Sequence, residues 1–245
     1  NAGCKSAQFI IENIDNPFNQ QFIILVGPGN NGGDALICHY YLLKYGVNSQ
    51  LLILDDCIKE NWIFKEYSID AKSGINYSDI NLLSSNNWYI DGLFGIGFKR
   101  DVTGRYKTLI QMISKFPHII SIDIPSGIDG NTGMSSENLI KAEFTLAMGF
   151  PKLGHYFNAG IESTGNLNIL NIGIDAPKVS NNHVELIEQK DINVIAPIKR
   201  ENIHKYNRGK IISIAGSLGY SGACILAVDA AITTGAGIVK ALVPL

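Results

Sequence analysis

Charge, cysteine and long apolar runs are all scarce in this 245-residue chain. Asp, Glu, Lys and Arg make up only 17% of it, and the formal net charge is −2. Such a balance builds no basic field, which argues against nucleic acid as a partner. The four cysteines, Cys4, Cys38, Cys57 and Cys224, show no C-x-x-C spacing. That speaks against a disulfide frame or a zinc site, and they read as reduced thiols of a cytoplasmic protein. No signal-peptide pattern and no uninterrupted apolar run of membrane-spanning length occurs, so no membrane partner is expected. The most apolar stretch, residues 223–245, is broken by Asp229, Lys240 and several glycines. No Ser/His/Asp spacing supports a hydrolase, and His39, His118 and His155 read as structural. What is plentiful is apolar residues, 46%, and glycine, 25 residues. They suffice for a full core with many tight turns. Asn1 falls in what reads as a helix tail, and Val243-Pro-Leu245 stops in or just past an apolar strand. Both ends point to a piece of a longer protein.

Apolar runs and helical patterns alternate along the chain. Strands are expected at Phe22–Val26, Gln50–Leu54, Trp88–Asp91, His118–Ile124, Glu143–Met148 and Leu167–Ile172. Helical patterns fall at Asp34–Tyr45, Asn61–Ser73 and Tyr106–Phe116. This order predicts a Rossmann-like three-layer α/β/α fold with a mainly parallel sheet. Runs such as Ile119-Ile-Ser-Ile122 are apolar on both faces, as a covered sheet requires. After Ile174 the composition shifts towards Asn and Pro. A second strand–glycine loop–helix–strand run then follows at Lys210–Ala215, Gly216–Gly222, Ala223–Thr234 and Gly237–Val243. The polar connector favours a second domain over continuation of the first sheet. The expected organisation is a first domain at 1–180, a connector at 181–200 and the start of a second domain at 201–245.

Three strand ends carry chemistry. Gly27-Pro-Gly-Asn-Asn-Gly32 follows the first strand and opens a helix, formally G-x-G-x-x-G. Free backbone N–H groups at a helix start form an anion site. An acidic pair, Asp55-Asp56, follows the next strand, about where a ribose-binding acid sits. The plainer reading is a tight turn with Asp34 capping the helix. Asn30, Asn31 and Asp34 are more polar than a standard dinucleotide turn and are candidate contacts to ligand or ion. The second loop is Asp91-Gly-Leu-Phe-Gly95-Ile-Gly97-Phe-Lys-Arg-Asp101, in which Lys99 and Arg100 are candidates to meet phosphate. The third, Ser121-Ile-Asp123-Ile-Pro-Ser126-Gly-Ile-Asp129, ends a strand in Asp and a rigid Pro-Ser-Gly turn. Asp123 reads either as a turn acid or as a general base. Asn31, Asp91 and Ser126 together offer an amide oxygen, one carboxylate and a hydroxyl, a set suited to a monovalent cation. These residues alone leave open a Rossmann-type NAD-dependent oxidoreductase and a non-enzymatic binding scaffold.

The loops in this order resemble the NAD(P)H-hydrate epimerase family. The matching pieces are Gly27–Asp34, Asp91–Gly97, Asp123-Ile-Pro-Ser-Gly-Ile-Asp129 and Phe150-Pro-Lys-Leu-Gly154, with Asn1-Ala-Gly3 like the end of an N-terminal helical segment. The resemblance runs from residue 1 to about Ile174. It implies nicotinamide nucleotide repair by exchange of the R and S hydrates of NADH and NADPH. It implies substrate contacts at Asn30, Asn31, Gly32, Gly33, Asp34, Gly95, Ile96, Gly97, Phe98, Lys99, Arg100, Asp101 and Asp123. It implies potassium at Asn31, Asp91 and Ser126. The chemistry of the exchange makes Asp123 the expected proton-transfer residue, with Lys152 a weaker helper, and a homo-oligomer is expected. Two departures stand out: Ala35, where the family often has Gly, and Gly92, where it usually has Ala. Gly92 is expected to loosen its loop slightly. The tail, through His204–Gly209, Ala215–Ala223 and Gly235–Val239, resembles the opening of a ribokinase-like NAD(P)H-hydrate dehydratase domain that uses ADP or ATP.

Overall fold

The computed structural model describes residues 1–54, 62–70, 74–75, 80, 83–97, 101–175, 184–195 and 204–243. The chain forms two compact units, Asn1–Pro177 and Lys178–Leu245. Among the described residues no helix is long and apolar enough to cross a membrane.

The first unit is built on six strands: β1 (Gln21–Val26), β2 (Asn48–Ile53), β3 (Trp88–Gly92), β4 (Ile119–Ile122), β5 (Phe144–Met148) and β6 (Asn166–Leu170). They lie in the order β2-β1-β3-β4-β5-β6, all parallel. Side chains on β1 alternate between two cores. Phe22, Ile24 and Val26 join one cluster, and Ile23 and Leu25 the other. That period of two is what a strand covered on both faces needs. Helices α1 (Ala2–Asn13) and α2 (Asn30–Lys44) contribute Phe9, Ile10, Leu36 and Leu42 to the first cluster. Helix α4 (Gly104–Ile113) contributes Leu109, Ile110 and Ile113 to the second. Each such side chain stabilises the fold by about 1.5–3 kcal/mol. The three-layer parallel architecture is the one the alternation predicts.

Helix ends depart from the sequence reading in instructive ways. Helix α2 starts at Asn30, four residues before the expected Asp34, with Gly29 as its extended N-cap. Asp34 therefore lies inside the helix and does not cap it. The Asn and Gly residues have low helix propensity, yet packing against neighbouring strands holds them helical. The same helix stops where Gly46, at φ +83°, lets Val47 N–H reach Leu42 O at 2.9 Å. Helix α3 (Trp62–Glu66) is far shorter than the expected Asn61–Ser73. Ser68 takes a left-handed φ of 52°, and Ile69 N–H closes the end on Phe64 O at 2.9 Å. A short helix, α5 (Gly160–Ser163), precedes β6.

In the second unit, α6 (Gln189–Ile195) lies in the polar connector, where no periodic run is legible. Strands β7 (Lys210–Ile214) and β8 (Ile238–Leu242) pair in parallel across helix α7 (Gly222–Thr233).

Candidate functional site

The C-terminal ends of β1, β3 and β4 open on one cavity of about 450 Å³, and loops from all three line it. Of the residues singled out in sequence, Asn30, Asn31, Asp34, Gly95, Ile96, Gly97 and Asp123 form its wall. Gly32 and Gly33 are buried in the first turn of α2 behind it. Asp101 is exposed and is not part of the wall. Phe98, Lys99, Arg100 and the Asp55-Asp56 pair lie outside the described residues. Met148 also lines the cavity, and only its position at a strand end signals that in the sequence.

The first loop is tight for a steric reason. A Cβ on Gly27 would sit 1.7 Å from Leu93 O, and one on Gly32 would sit 1.9 Å from Gly27 O. With no side-chain cap on α2, the first N–H groups of the helix have no intrahelical acceptors and stay available to an anion. Gly92 and Ala35 turn out to be one feature. A Cβ on Gly92 would fall 2.4 Å from the Cβ of Ala35, so the alanine methyl occupies the space that glycine leaves. The two departures compensate, which replaces the expectation of a loosened loop.

Asp91 is fully buried at the end of β3, in register with Ser121 on β4. Its carboxylate accepts from Ser126 Oγ (2.6 Å), Ser126 N–H (2.8 Å), Ser121 Oγ (2.9 Å) and Leu93 N–H (3.2 Å). All four donors are neutral. Burial raises its pKa, and the bonds from Ser126, Ser121 and Leu93 pull it back down. Asn31 Nδ2 donates to Phe94 O at 2.9 Å, and Phe94 N–H donates to Ser126 Oγ at 3.0 Å. Asn31, Asp91 and Ser126 thus form one connected oxygen-rich cluster. Among the described residues no group of three or more His, Cys, Asp or Glu side chains gathers as a metal set.

Asp123 sits just past β4 with φ +66°, a left-handed value that costs a non-glycine residue about 1–3 kcal/mol. Its Oδ1 accepts from Lys152 Nζ in an ion pair and from Met148 N–H at 3.2 Å. His155 holds both backbones. Lys152 N–H donates to its Nδ1 at 3.1 Å, so Nε2 carries the proton and donates to Asp123 O at 2.9 Å. Burial lowers the His155 pKa, consistent with this neutral form. The structure thus gives the Asp123–Lys152 pair a support that spans 32 residues of sequence and leaves no local signal. His39 is likewise buried and neutral, its Nδ1 2.8 Å from Ser49 Oγ, its pKa pushed down to about 4 by desolvation.

Asp34 differs from both other acids. It lines the cavity half-buried, and no hydrogen bond reaches its carboxylate from the described residues. Burial raises its pKa to about 6, and the charge of Asp123 adds to the rise.

A parallel sheet with an anion-receptive helix start and a supported carboxylate–lysine pair at one cavity defines a small-molecule-binding domain of Rossmann-like class. The chain belongs to the family described as YjeF-related protein N-terminus, whose sequence model matches residues 1–154. It is 35% identical to the NAD(P)H-hydrate epimerase of Elusimicrobium minutum over 63% of this chain and 74% of that protein. It is 31% identical to the bifunctional NAD(P)H-hydrate repair enzyme Nnr of Dictyoglomus turgidum over 100% of this chain but 49% of that protein. The chain therefore spans about half the length of the bifunctional relatives it matches. A crystal structure of the yeast protein ynu0 shares the fold, with a TM-score of 0.54 and 22% identity over 66% of this chain and 74% of that one.

Proposed function

We propose that the first unit interconverts the R and S hydrates of NADH and NADPH, so that a stereospecific dehydratase can restore the whole pool. The observation that carries this reading is the meeting of three strand-end loops at one cavity, with Asp123 in its wall and Lys152 ion-paired to Asp123 from outside the lining. The names of the relatives, an NAD(P)H-hydrate epimerase among them, support the substrate class. The helix start at Asn30–Gly33 is suited to the nucleotide phosphates. The hydrated carbon bears both a hydroxyl and the ring nitrogen. Reversible cleavage there and re-addition on the other face inverts it, which calls for proton transfer beside the ring. Asp123 takes that role, and Lys152, ion-paired to it, aims its carboxylate.

Potassium fits the Asn31–Asp91–Ser126 cluster on one structural ground: a fully buried carboxylate held only by neutral donors lacks a counter-charge. One carboxylate amid hard oxygens matches a monovalent ion. When bound, the ion supplies a fixed positive charge that orders the loops and the phosphates. For the second unit, the reading is the opening of a ribokinase-like dehydratase domain, 201–245, that works with ADP or ATP when complete. The match to bifunctional relatives along the entire chain supports it.

The test is to incubate a single pure epimer with the protein and resolve the hydrates by chiral chromatography. The second epimer is expected to appear, and Asp123→Asn is expected to slow exchange at least about a hundredfold while the fold is kept. No exchange by the wild-type protein overturns the reading, and unchanged exchange by the variant removes Asp123 from the role.

A further inference from the structure

We propose that Asp34 is a second proton-transfer group of this cavity, working from the α2 side while Asp123 works from the β4 side. The inference rests on the epimerase reading above. Inverting a carbon by losing and regaining a hydroxyl needs a proton handler on each side. One protonates the departing oxygen, and the other takes a proton from the water that returns. Asp123 alone is tied to one edge of the cavity by Lys152 and Met148.

Asp34 has the opposite environment. Asp91 accepts from four neutral donors and Asp123 is paired with an ammonium, but Asp34 faces the same cavity with nothing donating to it from the described residues. A half-buried carboxyl that opens on a cavity and carries no protein donor can exchange a proton with a bound molecule, and such groups gather where chemistry is done. Its burial favours the neutral acid at mildly acid pH, the form that can donate. The titratable groups around it are Asp123 with its partner Lys152 and, on its own helix, the Cys38 thiol, which burial keeps neutral.

The step balances without an oxidant or reductant. The C–O bond breaks, its electron pair leaves on oxygen, and Asp34 gives that oxygen a proton so that water departs. The ring nitrogen lone pair forms the C=N bond. Water adds to the other face, the C=N pair returns to nitrogen, and Asp123 accepts the proton. The reverse reaction exchanges the two roles, and solvent returns the proton between turnovers.

The experiment measures exchange in both directions with the full chain and its Asp34→Asn and Asp34→Glu variants. Binding of NADPH is followed by calorimetry as a separate readout. Asp34→Asn is expected to lower kcat about a hundredfold with KM and NADPH affinity changed no more than about twofold. Asp34→Glu is expected to recover part of the rate. The wild-type pH profile is expected to be bell-shaped, with activity falling as pH rises through about 6, where the pair loses its last proton. That limb is expected to vanish in Asp34→Asn. Wild-type exchange with an Asp34→Asn rate that matches it overturns the Asp34 role and leaves the epimerase reading standing. A variant that loses NADPH affinity in step with rate makes Asp34 a binding residue and also overturns it. Failure of the wild-type protein to exchange the epimers overturns the underlying reading instead.

Discussion

Two strand–glycine loop–helix runs occur in this chain, and only the first is pressed into a wall. Strand β1 is buried along nearly its whole length, whereas β7 leaves Ile212 and Ile214 exposed at 64% and 80%. In the first loop Gly27 and Gly32 abut backbone; in the second, Gly219 and Gly222 have nothing within 4 Å of where a Cβ would sit. The glycine pattern is similar, and in the first run its physical cause can be read from the neighbours. In the first run the loop after β3 and the turn's own backbone leave no space for a side chain, and Gly27 N–H is bonded to Gly92 O at 3.1 Å. A glycine-rich turn becomes a site when other strand ends close on it.

Substitutions sharpen that contrast. Gly32→Ala has the largest expected effect, since its methyl meets the Gly27 backbone at 1.9 Å. A loss of more than about 3 kcal/mol is expected in denaturant titration, enough to prevent folding in a marginal background. Gly92→Ala comes next, because its methyl collides with that of Ala35. It is expected to cost about 1–3 kcal/mol, and the double variant with Ala35→Gly to regain most of this in a mutant cycle.

Asp34→Asn has a smaller effect with the opposite sign. The folded-state pKa of about 6 lies above the ordinary 3.8 of an Asp. Below both values the group contributes no penalty. Between about 4 and 6 the unfolded chain releases its proton first, so stability falls as pH rises and stays lower above. Discounted for partial exposure, the gain from Asp34→Asn at pH 7 is about 1–2 kcal/mol, read as a higher Tm that fades below pH 4. A more stable and slower variant is the signature of a site kept under strain for function. Gly222→Ala in the second run has the smallest effect. It enters open space at the start of α7 and is expected to stabilise by about 0.4–1 kcal/mol through the unfolded chain.

The alternating elements and the two-faced parallel sheet were legible in the sequence because they depend on local signals. Alternation marks strands such as β1, and a carboxylate followed by glycines marks a strand end such as Asp91. The start of α2 was misread because Asn30–Gly33 are poor helix formers whose conformation is set by packing against β1 and β3. The His155 bridge to Asp123 and Lys152 was illegible, since nothing near His155 in sequence reveals a carbonyl 32 residues away. The compensation between Gly92 and Ala35 and the isolation of Asp34 are likewise properties of contacts, and no single segment carries them.

The central claim is that one ring of loops holds both the hydrated nucleotide and an alkali cation. Linkage makes this directly measurable, because an ion that orders the loops must tighten the nucleotide, and the nucleotide must tighten the ion by the same factor. Calorimetric titration of hydrated NADPH into the protein in potassium and in lithium buffers is the decisive measurement. Tighter binding in potassium, with the difference abolished by Asp91→Asn, is the predicted result. Equal affinity in the two salts, or a potassium effect that survives Asp91→Asn, contradicts the account.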